Sequence, residues 1–118
     1  MKVLFRHAAT LALMGWYLMV PPITDQGQVE LDVPMLQWQQ ADVFDAASAC
    51  QHEKENELVC DAAIISRGTA SDINHSCGFA AGTTPRIDDV IRLAARFRLK
   101  RYAHALCVAS DDPRLKGN

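Results

Sequence analysis

Ala8-Ala9-Thr10-Leu11-Ala12-Leu13-Met14-Gly15-Trp16-Tyr17-Leu18-Met19-Val20-Pro21-Pro22 is the stretch on which the reading of this chain turns. Lys2 and Arg6 precede it, and from Ala8 to Val20 only Thr10 and Gly15 interrupt the apolar residues. A basic start, a short apolar run and a double proline follow the layout of an export signal. Thirteen residues of helix rise only about 20 Å, against a hydrocarbon core of about 30 Å, so a stable membrane span is the weaker reading. A buried amino-terminal helix is the plain alternative, but cytosolic domains seldom combine these three features in this order. No small-x-small pair follows Val20 to mark cleavage. Residues 1–22 are therefore expected to be a signal peptide or a short retained membrane anchor. No cysteine follows the run, which sets lipid attachment aside.

The whole chain has 118 residues, which is one domain at most. A domain this small buries only about two thirds of its unfolded surface, so covalent staples would add stability that its core lacks. Four cysteines, at 50, 60, 77 and 107, suit that need. The formal net charge of −2 gives no bulk reason to expect a nucleic-acid partner. Acidic residues gather between Asp25 and Asp61, and basic ones between Arg86 and His104. Mutual attraction of the two halves is the plain reading of that asymmetry.

Beyond the apolar run, residues 23–34 show no periodicity and read as a flexible tether. Residues 35–118 are then the extracytoplasmic domain. Met35 to Gln39 alternate as a half-buried strand with Trp38 facing the core. Asp42 is placed to cap a helix from Val43 to Leu58, with Phe44, Ala47 and Cys50 on its inner face. Residues 61–84 are rich in Ala, Gly, Ser, Thr and Asn and read as loop. Thr84-Pro85 opens a second helix, with Asp88 and Asp89 in its first turn, running to about Tyr102. Its inner face is expected to carry Ile87, Val90, Ile91 and Ala94, leaving Arg92, Arg96, Lys100 and Arg101 on the surface. Leu106 to Ala109 is a short apolar strand, stopped by Asp111-Asp112-Pro113 and expected to pair with the Trp38 strand.

Three strings carry a resemblance: Gly15-Trp16-Tyr17-Leu18-Met19-Val20-Pro21-Pro22, the spacing Phe44-x-x-Ala47-x-x-Cys50, and Cys107-Val108-Ala109-Ser110-Asp111-Asp112-Pro113-Arg114-Leu115-Lys116. Covering about a third of the chain, they resemble a group of small uncharacterised exported bacterial proteins with a GWYLMxPP signal segment and a CxASDDPRL carboxyl-terminal ending. The resemblance implies location and architecture, and brings no catalytic residue. It also implies a basic pair formed by a cysteine on the first helix and one near the carboxyl terminus, here Cys50 and Cys107. Cys60 and Cys77 are additions of this chain. Four cysteines allow three connectivities; with Cys50 facing the core, Cys107 on the carboxyl-terminal strand is its expected partner, which leaves Cys60 for Cys77.

Chemistry candidates are few. The cysteine spacings match no zinc ribbon or finger, and no Cys-x-x-Cys is present. His52, His75 and His104 each lie within three residues of a cysteine, so Cys60, His75 and Cys77 form the sharper alternative, a metal-binding or thiol-active site. A nucleophilic pair of His75 with Cys77 is framed by no recognised signature. Arg92, Arg96 and Arg98 could face phosphate or an anionic membrane surface, but a solvated helix face is the ordinary explanation.

The fold expected is α+β: a small disulfide-stapled domain with two helices and a short two-stranded pairing, after an amino-terminal signal or anchor helix. Its location is expected to be periplasmic, or anchored to the inner membrane facing the periplasm. The function expected is that of a structural or interaction protein of the cell envelope rather than an enzyme. The expected partners are an envelope protein, and the membrane if the amino-terminal segment is uncleaved; no nucleic acid, cofactor, metal or catalytic residue is assigned.

Overall fold

The computed structural model describes residues 15–116 except 81; the expected amino-terminal helix, so far as it concerns residues 1–14, lies outside them. Within these residues the fold is α+β, with three helices, a three-stranded antiparallel sheet and two disulfides.

Strand β1 is Trp16–Val20, and it is the middle strand of the sheet. On one side it pairs with β2, Gln39–Phe44; on the other it pairs with β3, Leu106–Ala109. Aromatic and branched side chains favour extended backbone, and Pro21-Pro22 end the ladder. Successive residues of β1 point to opposite faces, and both faces are covered. Leu18 and Val20 pack with Cys50 and Ala105, flanked by Phe44 and Tyr102. Met19 packs with Met35 and Val108 on the other face, flanked by Trp38 and Leu115. The register shifts between Leu18 and Met19, opposite Asp42 and Gln40, so Ala41 is an extra residue in β2.

This arrangement corrects the expected boundaries. The domain does not begin at residue 35, because the last five residues of the apolar run are its central strand; a strand buried on both faces has the same unbroken apolar appearance as a short helix. Residues 23–34 are not a free tether. Ile23 bridges Val29, the Gln28 carbonyl accepts from the Thr24 N–H, and Gly27 turns at φ +83° against Phe97. Pro34 is followed by a 3-10 turn, Met35–Gln37, where a strand was expected. Trp38 packs below the sheet, its indole N–H donating to the Val33 carbonyl at 3.2 Å. β3 pairs with β1 and not with the Trp38 segment.

Helix α1, Ala47–Ile65, starts later and ends later than expected. Asp42 is no cap: it lies in β2 and accepts from the Val43 N–H, while Ala46 occupies the N-cap without a side-chain bond. The stretch read as loop holds α2, Ala70–Cys77. Thr69 and Asp72 form a reciprocal capping box, and Gly78 closes the helix at φ +74°. Helix α3, Asp89–Ala103, is capped by Asp88 rather than by Thr84. Its inner face carries Ile91 and the fully buried Ala95, with Ile87 packing beside them from just ahead of the helix, whereas Val90 is 75% exposed, so the face is rotated from the expected one.

Candidate functional site

The two disulfides join the cysteines as expected, Cys50 to Cys107 and Cys60 to Cys77. Their surroundings differ. Cys50 is wholly buried on the Leu18 face of the sheet, and β3 brings Cys107 to it opposite Leu18. Cys60, late in α1, and Cys77, the last residue of α2, line an open cleft of about 310 Å³ with Glu53, Asn56, Glu57 and His75. The structure thus brings Cys60, His75 and Cys77 together, with both sulfurs already bonded to each other. Among the described residues, no group of three or more His, Cys, Asp or Glu is placed to hold a metal ion.

Beside the cleft, α3 meets α1 through charge. Arg98 reaches Asp61 Oδ1 through Nε and Nη2, both at 3.1 Å, and Glu57 Oε1 at 3.4 Å. Asp61 is 1% exposed, and its Oδ2 has no hydrogen-bond partner among the described residues. Burial raises the Asp61 carboxyl pKa, and Arg98 opposes that rise. Glu57 is also raised, first by burial and then by the Asp61 charge. The Tyr102 phenol is raised by burial and by Glu57. Two carboxylates facing one guanidinium favour retention of a proton, because like charges at short range oppose double ionisation. This cluster is the local form of the attraction expected between the acidic and basic halves. Sequence reading missed it because Arg98 was placed with the surface cations; its position seven residues after Ile91 on the inner face was the available signal.

The other candidates are dispersed. Arg92 turns back to Asp89 and to the Ile87 carbonyl and is only 19% exposed, Arg96 is exposed, and Arg98 faces α1. They present no common anion-binding cluster. Arg101 is drawn to the Pro21 carbonyl at 2.9 Å and to Gln39 at 2.8 Å, fastening the end of β1 and the start of β2 to α3. His52 is exposed on α1, and His104 stands beside a separate groove between α3 and the 23–29 turn. Asp112 is engaged by Arg114 through two side-chain bonds, which lower its pKa to about 2.

Against family models, curated proteins and solved structures, the chain shows no match. Among the described residues no helix is long and apolar enough to cross a membrane.

Proposed function

We propose that this is a small exported protein of the bacterial cell envelope that acts by contact with another envelope protein and not by catalysis. The observation that carries the reading is the pairing of all four cysteines. Disulfides form and persist in oxidising compartments such as the periplasm, and small exported domains use them to supplement a limited core. The basic start and the apolar residues ahead of Gly15 support an export signal, either removed or kept as an anchor to the inner membrane. A contact role is supported by the site chemistry. The cleft offers carboxylates and a disulfide without a nucleophile held by a base, and the Arg98 charge beside it is taken up by Glu57 and Asp61.

The test is a carboxyl-terminal fusion of the whole chain to a reporter active only outside the cytoplasm. Activity is expected; a well-expressed but silent fusion refutes export. Crosslinking in intact cells, followed by identification of the crosslinked envelope protein, then tests the contact role. Recovery of the monomer alone refutes it.

A second reading, a thiol-active protein, is favoured by one observation: Cys60, His75 and Cys77 meet in a single cleft. Metal binding at these residues draws no such support while both sulfurs are joined, since thiolates are the ligands a metal needs.

A further inference from the structure

The two disulfides differ in what can reach them. Exchange requires a thiolate to approach one sulfur roughly in line with the S–S bond, so a bond enclosed by packed side chains is protected whatever its intrinsic stability. Cys50 lies at 0% exposure among Leu18, Val20 and Ala105, with Cys107 packed against the same cluster. Cys60, Cys77 and Cys107 are all half-buried, but Cys60 and Cys77 line the open cleft, whereas Cys107 is bonded to the wholly buried Cys50. The element that their bond secures is also independent of it for local structure: α2 has its own capping box and its own glycine C-cap. Opening the bond removes neither cap of α2 nor the packing of Ile73 on Ile64 and Ala95. The sheet keeps its own covalent staple.

We infer that Cys60–Cys77 is a thiol–disulfide exchange site, and that its reductant is a dithiol carrying neutral or positive charge beside the attacking sulfur. A thiolate of the dithiol attacks the sulfur of Cys60 or Cys77, forming a mixed disulfide and expelling the other cysteine as thiolate. The second thiol of the reductant then displaces the protein sulfur. The reductant becomes a disulfide, the protein gains two electrons, and the two protons released by the dithiol end on Cys60 and Cys77. Glu53 lines the approach and repels an anionic reductant, with Glu57 beside it adding less because Arg98 offsets its charge. The inference rests on the thiol-active reading of this cleft and is independent of the envelope-contact reading, which the fusion and crosslinking experiments test separately.

The experiment uses the oxidised whole chain at neutral pH without denaturant. Dithiothreitol is added, samples are quenched with a maleimide at intervals, and labelled cysteines are mapped by peptide mass. Cys60 and Cys77 should be labelled together, at least about tenfold faster than Cys50 and Cys107, because access limits exchange. Labelling of all four at one rate, of Cys50 and Cys107 first, or of none overturns the site. A double Cys60→Ser, Cys77→Ser variant that still melts cooperatively should lose the fast phase; a fast phase that persists also overturns it. For the charge requirement, cysteamine should open the bond several-fold faster than mercaptoacetate, each rate divided by its rate on an unfolded peptide disulfide. Equal normalised rates overturn the assigned class of reductant.

Discussion

A chain beginning at Ile23 should not fold, whereas one beginning at Gly15 should. The shorter chain lacks β1, and with it Leu18, Met19 and Val20, which are 1%, 4% and 1% exposed. Burying side chains of this size contributes about 1.5–3 kcal/mol each, or about 5–9 kcal/mol for the three. Domains of this kind have total stabilities of about 5–15 kcal/mol. The deletion also removes every hydrogen bond that β2 and β3 make to the strand between them. Little or no net stability remains. Far-ultraviolet circular dichroism during heating is the assay: the chain from Gly15 should show one cooperative transition, and the chain from Ile23 none. Leu18→Ala gives an intermediate point, with an expected loss of about 2–5 kcal/mol. If the shorter chain melted cooperatively within a few degrees of the longer one, β1 would not be the centre of the fold. The same argument bears on the proposed export: any form recovered from outside the cytoplasm, measured by intact mass, should retain residues 15–116.

Other perturbations separate the remaining contacts. Arg98→Ala leaves Asp61 buried and uncompensated and should cost about 2–3 kcal/mol in chemical denaturation, the partial exposure of Arg98 holding it below the usual range for buried pairs; Arg96→Ala should stay within about 0.5 kcal/mol. Because burial raises the Glu57 and Asp61 carboxyls in the folded state, the native protein holds more protons than the unfolded chain between the ordinary and the raised pKa values. Their contribution to stability should therefore increase as pH falls from neutral towards those ordinary values, and Glu57→Gln should flatten this part of the melting curve against pH. Asp112 runs the other way: its lowered pKa gives a contribution present above the ordinary 3.8 and lost as pH falls towards about 2, which Asp112→Asn should abolish in acid titration. In the chain-entropy account, the Cys50–Cys107 bond, at a separation of 57, should stabilise by about 4 kcal/mol. The Cys60–Cys77 bond, at a separation of 17, should contribute about 3 kcal/mol. Denaturant midpoints of the two double Cys→Ser variants test that order.

The legible parts were those in which one local signal had one meaning. Leu106–Ala109 between Ala105 and the Asp-Asp-Pro stop could be little else than a strand, and the inward position of Cys50 led to its partner. The misread parts had competing signals. Trp16–Val20 is apolar at every position, so period could not separate strand from helix, and the basic residues ahead of it tipped the reading towards a signal. Thr69-x-x-Asp72 is a capping box with Asp in place of the usual Glu, and its small, polar setting hid α2. In α3, Val90 was taken as core because it is apolar, although the inner face runs through Ala95 to Arg98. The cleft was legible as a list of residues, Cys60, His75 and Cys77, but the acidic wall came from Glu53 and Glu57 of α1, two turns and one turn before Cys60.

The strand order β2-β1-β3 has a consequence for how the chain matures as it emerges from a ribosome or a translocation channel. β1 appears first of the three and β3 last, and the Gly15 N–H that donates to Ser110 Oγ does so across 95 positions. Until β3 arrives, one edge of the strand with the most apolar surface stays unpaired, a state that is slow to resolve and prone to sticking. Closure is thus a post-synthetic event. A chain of this topology benefits from being held unfolded until it is complete, and an oxidant that joined Cys50 to the nearer Cys60 before Cys107 emerged would trap it away from the native sheet.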